Sequence, residues 1–230
     1  MSDLDIEEGL SAPRRRVLAW AAVHFSLLTV ASTVTRPAQG QAAPQRRTLL
    51  VVGDSLSAEY GLARGSGWVA LLQARMAREA PAFDVVNASI SGDTTSGGRS
   101  RLPGLLTRHK PQVVLIELGG NDALRGLPLA MTQDNLSAMA RAAKASGARV
   151  LIAGIAVPPN YGRGYGEEFN ALFGNVARAE GTALVPFLLA GVADVANADD
   201  MFQSDRIHPK AEAQPRMLDN VWPVLKPLLR

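Results

Sequence analysis

The chain predicts an α/β fold, a three-layer α/β/α sandwich around a five-stranded parallel sheet, and three observations carry that expectation. Short runs rich in Val, Leu and Ile lack apolar–polar alternation, so each reads as a strand buried on both faces, the mark of a parallel sheet. Apolar residues at helical spacing fill the intervals between these runs, which is the order of βαβ units. Gly, Asp, Asn and Ser gather where the runs end, and in such sheets ligands bind beyond the carboxyl ends of the strands.

Taken in order, Leu49–Val52 is the first buried strand and runs into Gly53-Asp54-Ser55-Leu56-Ser57. Trp68, Leu71, Leu72, Arg75 and Met76 define a helix over Gly67–Glu79, followed by a strand over Phe83–Asn87 that ends in Ala88-Ser89-Ile90-Ser91-Gly92-Asp93. A helix over Gly98–Thr107 leads to Pro111 and the strand Val113–Leu118, which stops at Gly119-Gly120-Asn121-Asp122. The helix Pro128–Ser146 carries Leu129, Met131, Leu136 and Met139, and Gly147 ends it. Val150–Ile155 is the fourth strand. Two prolines and two glycines make Pro158–Gly164 a loop. Glu167–Glu180 is a helix and Ala183–Phe187 the fifth strand. Residues 188–204 are irregular, and a final helix over His208–Leu229 is expected to bend or split at Pro215 and Pro223.

With 47% hydrophobic and 20% charged residues, 230 residues suit one domain with a sizeable core. Cysteine is absent, which excludes disulfides, thiolate metal sites, a Cys nucleophile and an acylated lipoprotein cysteine. Three histidines and no acidic cluster argue against a metal site. The glycines follow no phosphate-cradling motif, and no cofactor is expected. The net charge is +3, with no basic stripe interleaved with aromatics, so nucleic-acid binding is not supported. Arg14-Arg15-Arg16, an apolar run over Val17–Val34 and small residues at Ala38, Gly40, Ala42 and Ala43 follow the order of an export signal. The expected organisation is a removable leader over residues 1–42, of possible twin-arginine type, a linker over 43–47 and one domain over 48–230, exported to the periplasm or secreted. The competing reading, an uncleaved anchor, needs a spanning helix that His24, Ser26, Thr29, Ser32 and Thr33 make a poor one. A monomer is favoured.

A serine at the end of a buried strand is a candidate nucleophile, although Gly-Asp-Ser by itself is also an ordinary turn. A hydroxyl needs a base and an acceptor that orients the base. His208 lies in Ser204-Asp205-Arg206-Ile207-His208-Pro209, where Asp205 can turn back to the imidazole; the alternative is that Asp205 or Ser204 caps the last helix. An oxyanion needs convergent donors, and a bare Gly92 N–H and the Asn121 amide fall after neighbouring strands. Each could equally serve its own loop. Ser57 stands where Gly-x-Ser-x-Gly needs its second glycine, which excludes the α/β-hydrolase elbow.

Five blocks in order, Gly53-Asp54-Ser55-Leu56-Ser57, Asn87–Thr94, Glu117–Asp122, Pro159-Asn160-Tyr161-Gly162 and Asp205–Pro209 with Ala213-Gln214-Pro215 behind, resemble the SGNH or GDSL hydrolase superfamily. Within it they are similar to the bacterial periplasmic thioesterase I, lysophospholipase and arylesterase group. The resemblance implies the flavodoxin-like sandwich, with Ser55 as nucleophile, His208 as base, Asp205 as its orienting acid, and the Ser55 N–H, Gly92 N–H and Asn121 side chain as the oxyanion hole. It implies hydrolysis of acyl esters or thioesters: arylesters, lysophospholipids or acyl-CoA. The loop from Val157 to Tyr165, with Val157, Pro159 and Tyr161, is expected to wall an acyl groove, or else to be a plain surface loop. The chain departs from many relatives at Glu59, where a small residue is common, and at Arg206, where glycine is; both charges are expected to alter the cleft mouth. A sugar deacetylase and a noncatalytic lipid or glycan binder stay open as other readings.

Overall fold

Residues 46–230 are those described by the computed structural model, and the leader expected over residues 1–42 lies outside them. Five parallel strands form one sheet in the order β2-β1-β3-β4-β5: β1 (Arg47–Gly53), β2 (Phe83–Asn87), β3 (Val113–Glu117), β4 (Arg149–Ala153) and β5 (Ala183–Val185). The expected sandwich is observed, and strand order reverses between β1 and β3, the crevice position of this topology. Arg47, expected in a linker, already pairs with Phe83.

Alternate residues of each strand feed opposite faces. Leu49, Val51, Val113, Leu115, Leu151 and Ala153 pack with Trp68, Leu72 and Met76 of α1 (Trp68–Glu79) and with Met217, Val221 and Trp222 of the C-terminal helix. Leu50, Val52, Val114, Ile116, Val150 and Ile152 pack with α2 (Thr95–His109), α4 (Leu129–Ala145) and α5 (Arg163–Glu180). Both faces are covered, so strands without alternation are what burial demands.

Several boundaries differ from expectation, among them the start of α5 at Arg163 rather than Glu167. Thr94 caps α2, its side chain accepting from Gly97 N, so the helix starts before Gly98. A five-residue helix α3 (Gly120–Leu124) follows β3 where a loop was read. The last stretch begins not at His208 but as a 3₁₀ turn over Ala211–Ala213, continued by α7 (Gln214–Leu225), with a short α6 (Ala198–Met201) before it. Pro215 therefore opens α7, where a missing N–H costs nothing, rather than bending it. His208 lies in a loop that an antiparallel Phe202–Pro209 bridge closes.

Gly154 shows how tightly the strand ends are drawn together. It donates to Val185 O and accepts from Leu188 N, both at 2.8 Å, and a Cβ there would collide with the Pro186 carbonyl oxygen. Gly154→Ala is expected to lower stability by about 1–3 kcal/mol through overpacking, read as a lower midpoint in urea with an unchanged slope.

Candidate active site

The turn after β1 is shaped by its own side chains. Asp54 Oδ1 accepts from Leu56 N at 3.0 Å, and the Asp54 carbonyl accepts from Ser57 N at 3.2 Å and Ala58 N at 3.0 Å. This fold-back leaves Ser55 half-buried at the sheet edge. From the far loop, His208 Nε2 lies 2.8 Å from Ser55 Oγ, and its Nδ1 lies 2.7 Å from Asp205 Oδ2. Asp205 Oδ1 accepts from Ile207 N at 2.9 Å and His208 N at 3.0 Å. Burial pushes the Asp205 carboxyl up, but the His208 backbone and ring and the Ile207 N–H outweigh it and hold it at about 2. An ionised Asp205 keeps the proton on Nδ1, so Nε2 is free to accept the Ser55 hydrogen. The capping alternative for Asp205 fails, because no helix starts beside it.

Gly92 adopts φ 79°, a left-handed conformation that suits glycine. Among the described residues, neither Ser55 N–H nor Gly92 N–H bonds to another protein group, so both remain available as donors. Asn121, presented by α3, has both Nδ2 hydrogens engaged, one on Asp54 Oδ2 at 3.0 Å and one on the Asp93 carbonyl at 2.9 Å. A substrate oxygen must share or replace one of these bonds. The Asp54 carboxyl is raised to about 6 by burial first, against the Leu56 N–H, the His208 charge and the Asn121 amide.

Arg101, unremarkable in the sequence, ties the loops together from α2. Its guanidinium bonds Asp93 Oδ2 at 2.8 Å, the Ala88 carbonyl, and the Gly53 carbonyl at 3.4 Å. Asn87 Nδ2 donates to the Ser57 carbonyl at 2.7 Å, Arg125 to the Gly92 carbonyl at 2.7 Å, and Gln203 Nε2 to the Tyr60 carbonyl at 2.9 Å. The Tyr60 ring lies over His208 with centroids 4.3 Å apart. Among the described residues no group of three His, Asp or Glu side chains converges as metal ligands would.

The β4 loop candidates lie between β4 and α5. Val157 packs into the core face beneath α5. Tyr161 starts an aromatic row, 5.9 Å from Tyr165, which is 6.3 Å from Phe169. Pro159 opens the 3₁₀ turn Pro159–Tyr161. Among the described residues, no hydrogen bond links Val157 or Tyr161 to the serine cluster. The exposed large apolar side chains among the described residues are instead Tyr60, Ile90, Leu124 and Ile207, one on each loop that carries a member of the cluster. Of the two departures, Glu59 is spoken for: its carboxylate accepts from Gly65 N at 3.0 Å and Gly67 N at 2.8 Å and so caps α1, whose N-cap Gly67 has no side chain to do it.

The GDSL-like Lipase/Acylhydrolase family model matches residues 51–215. The chain is 59% identical over 189 residues to "Esterase TesA" of Pseudomonas aeruginosa, covering 82% of this chain and 92% of that protein. It is 42% identical over 182 residues to "Thioesterase 1/protease 1/lysophospholipase L1" of Escherichia coli, covering 79% and 85%. Among solved structures, psychrotrophic esterase EstA from Pseudoalteromonas sp., inhibited by monoethylphosphonate, matches with a TM-score of 0.73 at 39% identity, covering 80% of this chain and 98% of that one.

Arg206 stands at φ 57° with its side chain 78% exposed and only a 3.8 Å ion pair to Asp199. Left-handed backbone disfavours a Cβ, so the residue is there at a conformational cost. Arg206→Gly is expected to raise the thermal midpoint, by about 1 kcal/mol in stability, and a fall in the midpoint would show that the exposed pair outweighs the backbone.

Proposed function

We propose, from the premise that the chain belongs to the GDSL-like lipase/acylhydrolase family, that it is a serine esterase cleaving acyl esters and thioesters through an acyl-enzyme on Ser55. The observation that carries this reading is the continuous relay Ser55 Oγ, His208 Nε2, His208 Nδ1, Asp205 Oδ2, with links of 2.8 and 2.7 Å. Ser55 Oγ attacks the carbonyl carbon as His208 Nε2 takes its proton. The carbonyl electrons move onto the oxygen, which the Ser55 and Gly92 N–H groups and the Asn121 amide receive. The tetrahedral intermediate collapses, and the leaving alcohol or thiol takes the proton from His208. Water, deprotonated by the same imidazole, then attacks the acyl-enzyme and releases the carboxylic acid.

A hydrocarbon acyl chain rather than a sugar is supported by Tyr60, Ile90, Leu124 and Ile207, exposed apolar side chains on the same segments that carry Ser55, Gly92, Asn121 and His208. The substrate class read here is arylesters, lysophospholipids and acyl-CoA, in keeping with the esterase, thioesterase and lysophospholipase names of the relatives. The arginine triplet, apolar run and small residues of positions 14–43 support export with removal of residues 1–42, which places the enzyme in the periplasm or outside the cell. Among the described residues, no helix is long and apolar enough to cross a membrane.

Ser55→Ala is expected to abolish hydrolysis of p-nitrophenyl butyrate and labelling by a fluorophosphonate with the fold intact; unchanged turnover would overturn the assignment. Asn121→Ala is expected to lower kcat on the order of 10²- to 10³-fold. Asp205→Asn is expected to lower kcat by roughly 10²- to 10⁴-fold through the wrong imidazole tautomer. The folded Asp205 titrates at about 2 against an ordinary 3.8, so its stabilising contribution is complete above 3.8 and is lost as pH falls towards 2. Thermal midpoints of wild type and Asp205→Asn should therefore converge over that interval.

A further inference from the structure

Glu117 is the last residue of β3 and is completely buried. Register places it opposite Gly53, and a Cβ on Gly53 would lie 2.8 Å from both Glu117 Oε2 and Ser57 Oγ. Oε2 meets the Ser57 hydroxyl at 2.7 Å and accepts a long bond from Asp54 N at 3.4 Å. Among the described residues, Oε1 has no hydrogen-bond partner. The Asp54 carboxyl, also buried, faces the same pocket but has a donor on each oxygen, Leu56 N and Asn121 Nδ2.

Two adjacent carboxyls in a dry site cannot both ionise, and the charge settles where donors meet it. Those donors are on Asp54. An ionised Glu117 would leave half a charge on an oxygen with no partner, whereas a neutral acid leaves only a carbonyl. We infer that Glu117 is a positioning residue for the acyl-transfer site, an uncharged acid that ties the Ser55 turn to β3 through Ser57 and confines the charge of the Asp54–Glu117 pair to Asp54, where Asn121 is held. With Oε1 as the carbonyl, the acid's proton sits on Oε2, and the 2.7 Å contact carries it to Ser57 Oγ. Burial first, and then the Asp54 charge, push the Glu117 carboxyl well above its ordinary range, in agreement with the geometry.

The charged groups around the pair reinforce this division. His208 draws charge onto Asp54 from the β5 side. Asp93, on the β2 loop, opposes charge on Asp54, but Arg101 of α2 holds it at 2.8 Å and also reaches the Gly53 carbonyl at 3.4 Å. On α3, Asp122 is turned away, its oxygens taken by Thr95 and Thr132.

This inference rests on the reading of Ser55 as nucleophile, and the test separates the two. Purified full-length wild type, Ser55→Ala, Glu117→Gln and Glu117→Leu are compared with p-nitrophenyl butyrate across about pH 5–8, where ordinary carboxyls are ionised. Glutamine reproduces the uncharged acid, so Glu117→Gln should keep kcat within about threefold with an unchanged pH profile. Leucine removes the tie, and Glu117→Leu should lose roughly 10- to 100-fold in kcat with KM within about threefold. Glu117→Gln falling as far as Glu117→Leu, or Glu117→Leu matching wild type, would overturn the proposal. Should the leucine variant not fold, wild-type protein with carboxyl-¹³C glutamate decides: one glutamate resonance should keep the shift of a protonated acid at pH 7, and its absence overturns the proposal. Activity of Ser55→Ala would instead remove the nucleophile reading, which the carbon spectrum does not touch.

Discussion

At the centre of the sheet, where β1 and β3 meet, a carboxyl group fills the space that a side chain on Gly53 would need. Glu117 and Gly53 are register partners, and the acid's Oε2 sits where a Cβ would press to 2.8 Å. That one exchange lets the chain fold sharply after β1, because Asp54 and Ser57 close over the same carboxyl. A buried acid is a poor source of stability by itself. Its use here is positional: it couples β3, which leads into the short helix carrying Asn121, to the turn carrying Ser55.

Around that core the loops are held by polar bonds rather than by packing. Arg101 touches the β1 end and the β2 loop at once, Asn87 holds the Ser57 carbonyl, and Gln203 holds the Tyr60 carbonyl from the β5 loop. Further out, the Trp68 indole donates to the Leu56 carbonyl, and Gln214 accepts from Trp68 N, joining α1 and α7 to the turn. Loops set on a rigid sheet keep a relay of 2.7–2.8 Å bonds in place while leaving its rim open to solvent. Hollows of about 190 and 180 Å³ lie at the opposite end of the strands, lined by Arg46 and Phe83 or by Arg149 and Ala183, and hold no member of the relay. The chemistry sits on the open, apolar-rimmed side.

Much of this was legible in the residues. Runs without alternation located the inner strands β1, β3 and β4, because burial on both faces leaves hardly a polar position to interrupt them, whereas the edge strand β2 carries Asp84 and Asn87 in the open. The boundaries that moved have different causes. At Arg163-Gly164-Tyr165-Gly166 the glycines argue for a loop, yet α5 begins at Arg163, four residues before Glu167, and Tyr165 in its first turn stacks on Phe169. At α7, apolar periodicity was extended back through His208, although Pro215 already marked the first turn. Glu117 did carry a signal, a single acid ending the apolar Val113–Ile116 run, whereas Arg101 on an ordinary helix carried none.

The sequence by itself determined the layers, the strands and the identity of Ser55, Gly92, Asn121, Asp205 and His208 as candidates, because burial and turn chemistry act on neighbours along the chain. Only the tertiary structure decided that Asp205 meets the His208 ring instead of capping a helix, that Glu59 serves α1, and that a buried acid lies opposite Gly53. Each of those depends on which groups meet across strands and loops tens of residues apart, and on which of them water no longer reaches.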